Sequence, residues 1–310
     1  MCTRIFWNDN PAAKVTGRTL DWVVDDEARL WHFPAGMRRT GRCDGGAEWE
    51  VLHRNVAMSF WNEGTTEGVN DAGLAAHLLY FAASEYERRD RRPGVAHLLW
   101  AQYVLDRFAT VSDALAGLAA VQVVPVEVRG QMLGAHLAIE DVSGDSAIIE
   151  FIEGWPVVHH STAYRVMAND PSFQEQLVGL RRYRPFGGDE VLPGDISSEH
   201  RFARANYFLD HLSTPTDTRQ AVAGVLGVAR NVSVPFGAPY DDFSVYPTWW
   251  ASVTDLTGRG LYYQSTLAPN VVWTYLDGFA PDAGVLVIDP SDPDLSGDIS
   301  ARFAPADAPY

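Results

Sequence analysis

The sequence predicts an α+β fold in one domain, and three observations lead there. Short runs rich in β-branched and aromatic residues alternate with stretches of helical spacing, in the order strands, helices, strands, helices, strands. No internal repeat and no linker rich in Pro, Gly or Ser divides the chain, so residues 1–310 read as one unit. A chain of 310 residues, 46% of them hydrophobic, can bury a core without disulfides or structural metals. Interleaved runs of this kind predict sheets that share a core, with helices in outer layers.

The first third reads as strands over 3–7, 17–24, 30–37, 56–61 and 73–81, each bounded by Gly, Asn, Asp or Pro. Two helices follow. The first, over 95–108, carries Leu98, Leu99, Tyr103 and Leu105 at helical spacing. The second, over 112–120, has Ser112 or Asp113 as its N-cap. Strands resume over 122–128, 136–140, 146–152, 157–160 and 164–168, with Gly144-Asp145 as a hairpin turn. Helices are expected over 171–182, 198–212 and 216–230, the last two with Ser or Thr near their starts. The remaining strands fall at 248–255, 260–265 and 271–276. From about residue 289 the chain is rich in Pro, Asp, Ser and Gly and reads as an exposed tail.

Charge and composition exclude several function classes. With 24 Lys+Arg against 40 Asp+Glu the net charge is −16, which disfavours nucleic acid and anionic membrane surfaces as partners. The two cysteines, Cys2 and Cys43, make neither a disulfide framework nor a zinc cluster, and no metal or cofactor is expected. No run has the apolar length of a transmembrane helix. The N-terminus lacks a basic region followed by an apolar one, so a cytoplasmic location is the expectation, with secretion open if a leader preceded Met1.

Cys2 is the most informative residue. A small residue at position 2 favours removal of the initiator Met, which would place a free α-amine and a thiol on one residue. The reference pKa of an α-amine, about 7.7–8.0, lies close to that of a thiol, about 8.5, so such an amine can serve as base for its own side chain. On position alone, Cys2 reads instead as a small apolar residue opening a strand. The segment Gly17-Arg18-Thr19-Leu20-Asp21-Trp22 shifts that balance. Residues three apart in a strand face opposite sides, so Arg18 and Asp21 reach one site only if the segment bends, as Gly17 would allow. An Arg beside the thiol favours thiolate, and an Asp beside the amine would hold it in place.

Other features read as structural. His159-His160 would face opposite sides of a strand and are expected as two lone histidines. Asp25-Asp26 and Asp241-Asp242 could supply a glycosidase pair, but acidic doublets are common in so acidic a chain. Asn231-Val232-Ser233 matches a glycosylation sequon, Arg88 to Arg92 reads as a solvated loop, and Gly187-Gly188 has no phosphate loop around it. Trp249-Trp250 reads as one core ring and one exposed or interface ring.

A set of motifs in order resembles the choloylglycine hydrolase family. They are Met1-Cys2-Thr3-Arg4 with Gly17 to Trp22, then Gly68-Val69-Asn70-Asp71-Ala72-Gly73-Leu74-Ala75, similar to the family's G-(M/V)-N-E-x-G-L-A turn. Met167-Ala168-Asn169-Asp170-Pro171-Ser172-Phe173 resembles its T-N-x-P-x-F segment, and 192–202 its P-G-D-x-S-S-x-x-R-F segment. The likeness extends through 231–237. It implies an αββα N-terminal-nucleophile hydrolase, often a homotetramer. Cys2 would be the nucleophile with its α-amine as base, Arg18 and Asp21 would orient and activate it, Asn169 would donate to the oxyanion, and Arg201 would stabilise the charged site. Bile salt hydrolases carry L-N-F-P-G where this chain has Leu79-Tyr80-Phe81-Ala82-Ala83, and an aromatic there resembles penicillin V acylases; the segments 31–34, 101–106 and 144–150 also resemble the penicillin V and N-acyl homoserine lactone acylase branch. A backbone donor at Tyr80 would make that exchange harmless, whereas a required Asn amide would be lost.

The expected activity is cleavage of a small-molecule acyl amide through a Cys2 thioester. Trp22, Met58, Phe60, Trp61 and Tyr80 are the candidates for an apolar acyl pocket. Core packing is an equal reading of Met58, Phe60 and Trp61. The rival readings are a bile salt hydrolase, a non-catalytic binding protein on the same fold, and a glycosidase using an acidic pair.

Overall fold

Two inner sheets lie face to face, each covered on its outer side by helices. This is a computed structural model, and it describes residues 1–240 and 244–310. Asp241 and Asp242 lie outside the described residues. The first sheet has seven strands, in the spatial order Val166–Met167, Cys2–Trp7, Val15–Asp21, Thr248–Asp255, Gly260–Ser265, Val272–Tyr275 and Gly297–Asp298. The second has nine and centres on Ala135–Glu140, Ala75–Tyr80, Gly64–Asn70 and Asn55–Phe60. Helices α1 (Trp100–Arg107) and α2 (Val111–Gly117) follow the second sheet's central strands, and α1 packs on them. Helices α3 (Phe173–Leu180), α4 (Ser198–Asp210) and α5 (Thr218–Val232) form the opposite layer, where α4 and α5 cover the first sheet.

This four-layer order explains the residue pattern. Every residue of Cys2–Trp7, Val15–Asp21, Asn55–Phe60 and Gly64–Asn70 is buried, because one face meets helices and the other meets the facing sheet. Such strands need not alternate apolar with polar. Gly64–Asn70 was not anticipated for that reason: its sequence GTTEGVN has low strand propensity, and pairing to both neighbours holds it in place. At Gly17 a Cβ would collide with Val225 of α5, so the glycine lets helix and sheet approach closely.

Caps differ from expectation by a residue or two. Thr110, not Ser112 or Asp113, accepts from the Asp113 N–H at the start of α2. Ser172 and Glu175 form a capping box on α3, Ser197 caps α4 and Asp217 caps α5. The stretch from 289 is exposed over much of its length, yet it is docked. Gly297–Asp298 joins the first sheet, Ala304–Pro305 joins the second, and Leu295 and Ile299 are buried. No helix among the described residues is long and apolar enough to cross a membrane.

Candidate active site

Cys2 opens the N-terminal strand directly opposite Leu20 of the neighbouring strand. Arg18 lies two residues before Leu20 and therefore shares the face that carries the thiol. Its Nη2 donates to Cys2 Sγ at 3.5 Å, and its Nη1 donates to the Thr66 carbonyl at 2.6 Å. Asp21 projects to the other face, toward the helices. There Arg201 of α4 brings Nη1 to 3.4 Å from Asp21 Oδ2, and Thr248 donates to Asp21 Oδ1 at 2.6 Å. Arg18 and Asp21 thus meet Cys2 from opposite sides of the sheet, one at the thiol and one beside the chain terminus. A bend at Gly17 is not what achieves this: Gly17 sits in regular pairing, and the irregularity falls in the partner strand between Thr248 and Trp250.

Asn169 ties these groups together. Its Oδ1 accepts from the Cys2 backbone N at 2.5 Å and from Arg201 Nη2 at 2.9 Å. Its Nδ2 donates to the Tyr80 carbonyl at 2.6 Å. Ser198 and Gln176 fix the Asn169 backbone. Arg201 also donates to the Cys2 carbonyl at 2.6 Å and to Thr3 Oγ1. Met1 is buried, its amine donates to the Asp21 carbonyl, and burial pushes that amine below its ordinary value. Asp21 Oδ2 is buried without a hydrogen-bond partner, although Arg201 lies beside it.

The thiol opens on a small apolar cavity between the two sheets. Trp22, Phe60 and Tyr80 line it. Trp22 meets Tyr80 and Phe60 edge-on, with ring centroids 5.3 and 6.0 Å apart. Met58 and Trp61, expected in this pocket, are not on its wall. Met58 is fully buried in the core, and Trp61 packs behind Phe60 while its indole N–H donates to the Asp25 carbonyl. In a strand, Met58 and Phe60 do share a face, so the cavity's limited reach along the strand decides which of them lines it. Leu78, Leu98, Leu133 and Ala135 are also on the wall and were not singled out for it. Only their apolar character marked them in the sequence, and the core shares it.

The features read as structural find partners of their own. His159 faces Glu150 and His160 faces Asp145, on opposite sides of their strand. Asn231 accepts from Arg204, Trp250 is core and Trp249 half-buried. Asp26 is a core group: it is fully buried, and both its oxygens lie within 3.1 Å of the Trp250 indole nitrogen.

A four-layer αββα sandwich whose inner strand begins at a cysteine defines the class of N-terminal-nucleophile hydrolases. Within that class the chain belongs to the linear amide C–N hydrolases of the choloylglycine hydrolase family, whose model matches residues 2–283. It is 35% identical to a penicillin V acylase of Pectobacterium atrosepticum, over 98% of this chain and 90% of that one. It is 22% identical to a bile salt hydrolase/transferase of Bifidobacterium longum subsp. longum, over 76% and 83%. The structure of a penicillin V acylase from Agrobacterium tumefaciens superposes with a TM-score of 0.89 at 34% identity, covering 99% of this chain and 98% of that one. A conjugated bile acid hydrolase from Clostridium perfringens shares the fold, with a TM-score of 0.80 at 17% identity over 93% and 96%. The chain is a hydrolase acting on carbon–nitrogen bonds other than peptide bonds, in linear amides.

Proposed function

We propose that this chain cleaves amides of an apolar or aromatic acyl group, of the penicillin V or long-chain N-acyl homoserine lactone kind, through a thioester on Cys2. The observation that carries the reading is the Cys2 thiol, 3.5 Å from Arg18 Nη2, at an apolar cavity walled by Trp22, Phe60 and Tyr80.

Removal of Met1 turns the Cys2 nitrogen from an amide into a free amine. That amine takes the thiol proton, and the sulfur bonds to the amide carbonyl carbon. The resulting ammonium keeps Asn169 Oδ1 as one acceptor and gains the unpartnered Asp21 Oδ2 as a second. The oxyanion falls to the second N–H of Asn169 Nδ2, the first being held by the Tyr80 carbonyl. The N–H groups of Phe81, Ala82 and Ala83 are already engaged, so Tyr80's own N–H is the backbone donor to share it. The ammonium then protonates the leaving nitrogen as the C–N bond breaks. Water, losing a proton to the same amine, attacks the thioester, and the C–S bond breaks to release the acid. Arg201, tied to the Cys2 carbonyl, Thr3 and Asn169, holds the strand end in register with the oxyanion donor.

Burial of flat or aliphatic acyl groups against three rings favours such substrates over a steroid, which needs a wider mouth. The test is kcat/KM for penicillin V, a long-chain acyl homoserine lactone and glycocholate, on the Met-processed enzyme and on Tyr80→Ala. Penicillin V or the lactone should rank first in the wild type, and Tyr80→Ala should narrow the gap. Glycocholate ranking first, or an order untouched by Tyr80→Ala, refutes the pocket assignment.

A further inference from the structure

Beyond the residues that touch the thiol, the space between the sheets holds a row of five ionisable side chains, none more than 1% exposed. Arg4 and Arg18 sit directly opposite one another on adjacent strands of the first sheet and project from the same face. Like charges so placed repel, and a buried charge without a partner is costly. The facing sheet answers with Glu140, His77 and Glu67. Arg4 Nη2 lies 2.6 Å from Glu140 Oε2, Glu140 Oε1 lies 2.8 Å from His77 Nε2, and His77 Nδ1 lies 3.1 Å from Glu67 Oε2. Thr16 donates to Glu140 as well, at 2.5 Å.

The row stops one step short of Arg18. Arg4, Arg39 and Arg201 each have a carboxylate oxygen within 3.4 Å. Among the described residues Arg18 has none within 4 Å, and its nearest polar partners are the Thr66 carbonyl and the Cys2 thiol. Glu67, the next residue after Thr66, would be its natural counter-ion. Glu67 Oε1 and Arg18 Nε are both buried without hydrogen-bond partners. His77 holds the other Glu67 oxygen.

We propose that His77 is a positioning residue for the nucleophile: by pinning Glu67 to its own strand pair, it keeps a carboxylate off Arg18 and leaves that guanidinium to face the Cys2 thiol. Burial opposes a charged imidazole, but Glu140 and Glu67 outweigh it and hold His77 above its ordinary value. Burial likewise opposes ionised Glu140 and Glu67, yet Arg4 and His77 bring Glu140 down to about 2, and His77 and Arg18 bring Glu67 below its usual range. The row then alternates in sign from Arg4 to Arg18. The other titratable and charged groups around the thiol are the Cys2 α-amine freed by Met1 removal, Asp21 and Arg201 on the helix side, and Asp26, protonated up to about pH 7, behind the Trp250 ring that Arg18 overlies at 5.5 Å.

This inference rests on Cys2 being the nucleophile, and its test reads the thiol apart from turnover. The rate of Cys2 alkylation by iodoacetamide is followed against pH, with Cys43 resolved from it by peptide mass spectrometry. In His77→Gln, Glu67 is free to pair with Arg18, and the midpoint should rise by about one pH unit. In Glu67→Gln a negative charge is lost near Arg18, and the midpoint should fall. The double variant should return close to wild type. His77→Gln should lower kcat with KM held within about threefold, because the acyl pocket is untouched. Midpoints that stay put, or that move the same way in both single variants, overturn the proposal. Where a variant fails to fold, the ¹⁵N imidazole spectrum of the wild type decides: a proton on His77 Nδ1, the atom that faces Glu67, supports the proposal, and an unprotonated Nδ1 overturns it. Failure of the functional reading would look different, with the alkylation shifts intact and no Cys2-dependent hydrolysis.

Discussion

Replacing Asp26 by asparagine should make the protein's stability less sensitive to alkaline pH. Asp26 is fully buried, and its carboxyl receives the Trp250 indole N–H. Desolvation raises its pKa from 3.8 to about 7, and the Trp250 hydrogen bond and Arg18 only partly oppose that rise. Between those values the folded chain keeps a proton that the unfolded chain has released. The unfolded state therefore binds fewer protons, and stability falls as pH rises, from just above 3.8 until it levels off above about 7. One pKa unit corresponds to about 1.4 kcal/mol, and because the folded group is half titrated at pH 7, the span from pH 5 to 7 amounts to about 2 kcal/mol. The asparagine amide cannot titrate, and its carbonyl oxygen can still accept the indole N–H. Its amide N–H groups gain no partner, at a pH-independent cost of about 1–3 kcal/mol. The assay is urea unfolding of wild type and Asp26→Asn at pH 5, 7 and 9, taking the difference so that groups common to both cancel. The variant should gain on the wild type by about 2 kcal/mol from pH 5 to 7 and by only about 0.4 kcal/mol more by pH 9. A difference constant across that range would mean that Asp26 is ionised in the fold at pH 5, and the desolvation argument would fail.

The catalytic reading makes three further claims. Intact-mass analysis should find active protein without Met1, and full activity with Met1 retained would end the proposed mechanism. Cys2→Ala should abolish hydrolysis with the circular dichroism spectrum unchanged, and substantial residual turnover would mean another nucleophile. Asn169→Ala should lower kcat by about 10²–10³, the usual loss for one oxyanion donor, and a smaller effect would move the oxyanion elsewhere. On stability, Arg4→Met should cost about 3–5 kcal/mol, because it strands Glu140 in the core. Urea unfolding would report that cost.

How much of this could be read from the sequence depended on whether the signal was local. Cys2, Arg18, Asp21, Asn169 and Arg201 stand in short segments with recognisable spacing, and the fold brings all five together. The helices were visible because each has one apolar stripe. Boundaries and one inner strand were not, because a strand buried on both faces carries no alternation. Met58 and Trp61 show a related limit: a residue type suited to a pocket is equally suited to the core beside it. The Asp25-Asp26 doublet read as one of the common pairs of an acidic chain, and only the Trp250 indole, 224 positions from Asp26, marks that residue as a core group. His77, Glu67 and Glu140 gave no signal at all, since the partners that make them ionisable neighbours sit on different strands, and Arg4 on the other sheet.

The two faces of one strand end explain why a nucleophile belongs at its first residue. The side chain of residue 2 points into the gap between the sheets, where the surroundings are apolar and Arg18 is the charge beside it. Its backbone nitrogen stays at the boundary with the helix layer, among Asn169, Arg201 and Asp21. In the proposed mechanism the thiol and its base therefore sit on one residue but in different environments. The sulfur meets an apolar acyl group with little water to compete, while the nitrogen keeps polar acceptors for the proton it must carry. An interior residue could not provide this, because its nitrogen would be an amide committed to the sheet. A lysine or histidine base brought in from the helix side would have to cross the sheet to reach the sulfur. The position of Arg201 follows from the same geometry: by gripping the Cys2 carbonyl, Thr3 and Asn169 together, it fixes the strand end on the polar side. Arg201→Lys keeps the charge but cannot span all three acceptors with a planar fork. It should depress kcat more than KM, and an unchanged kcat would show that charge alone suffices there.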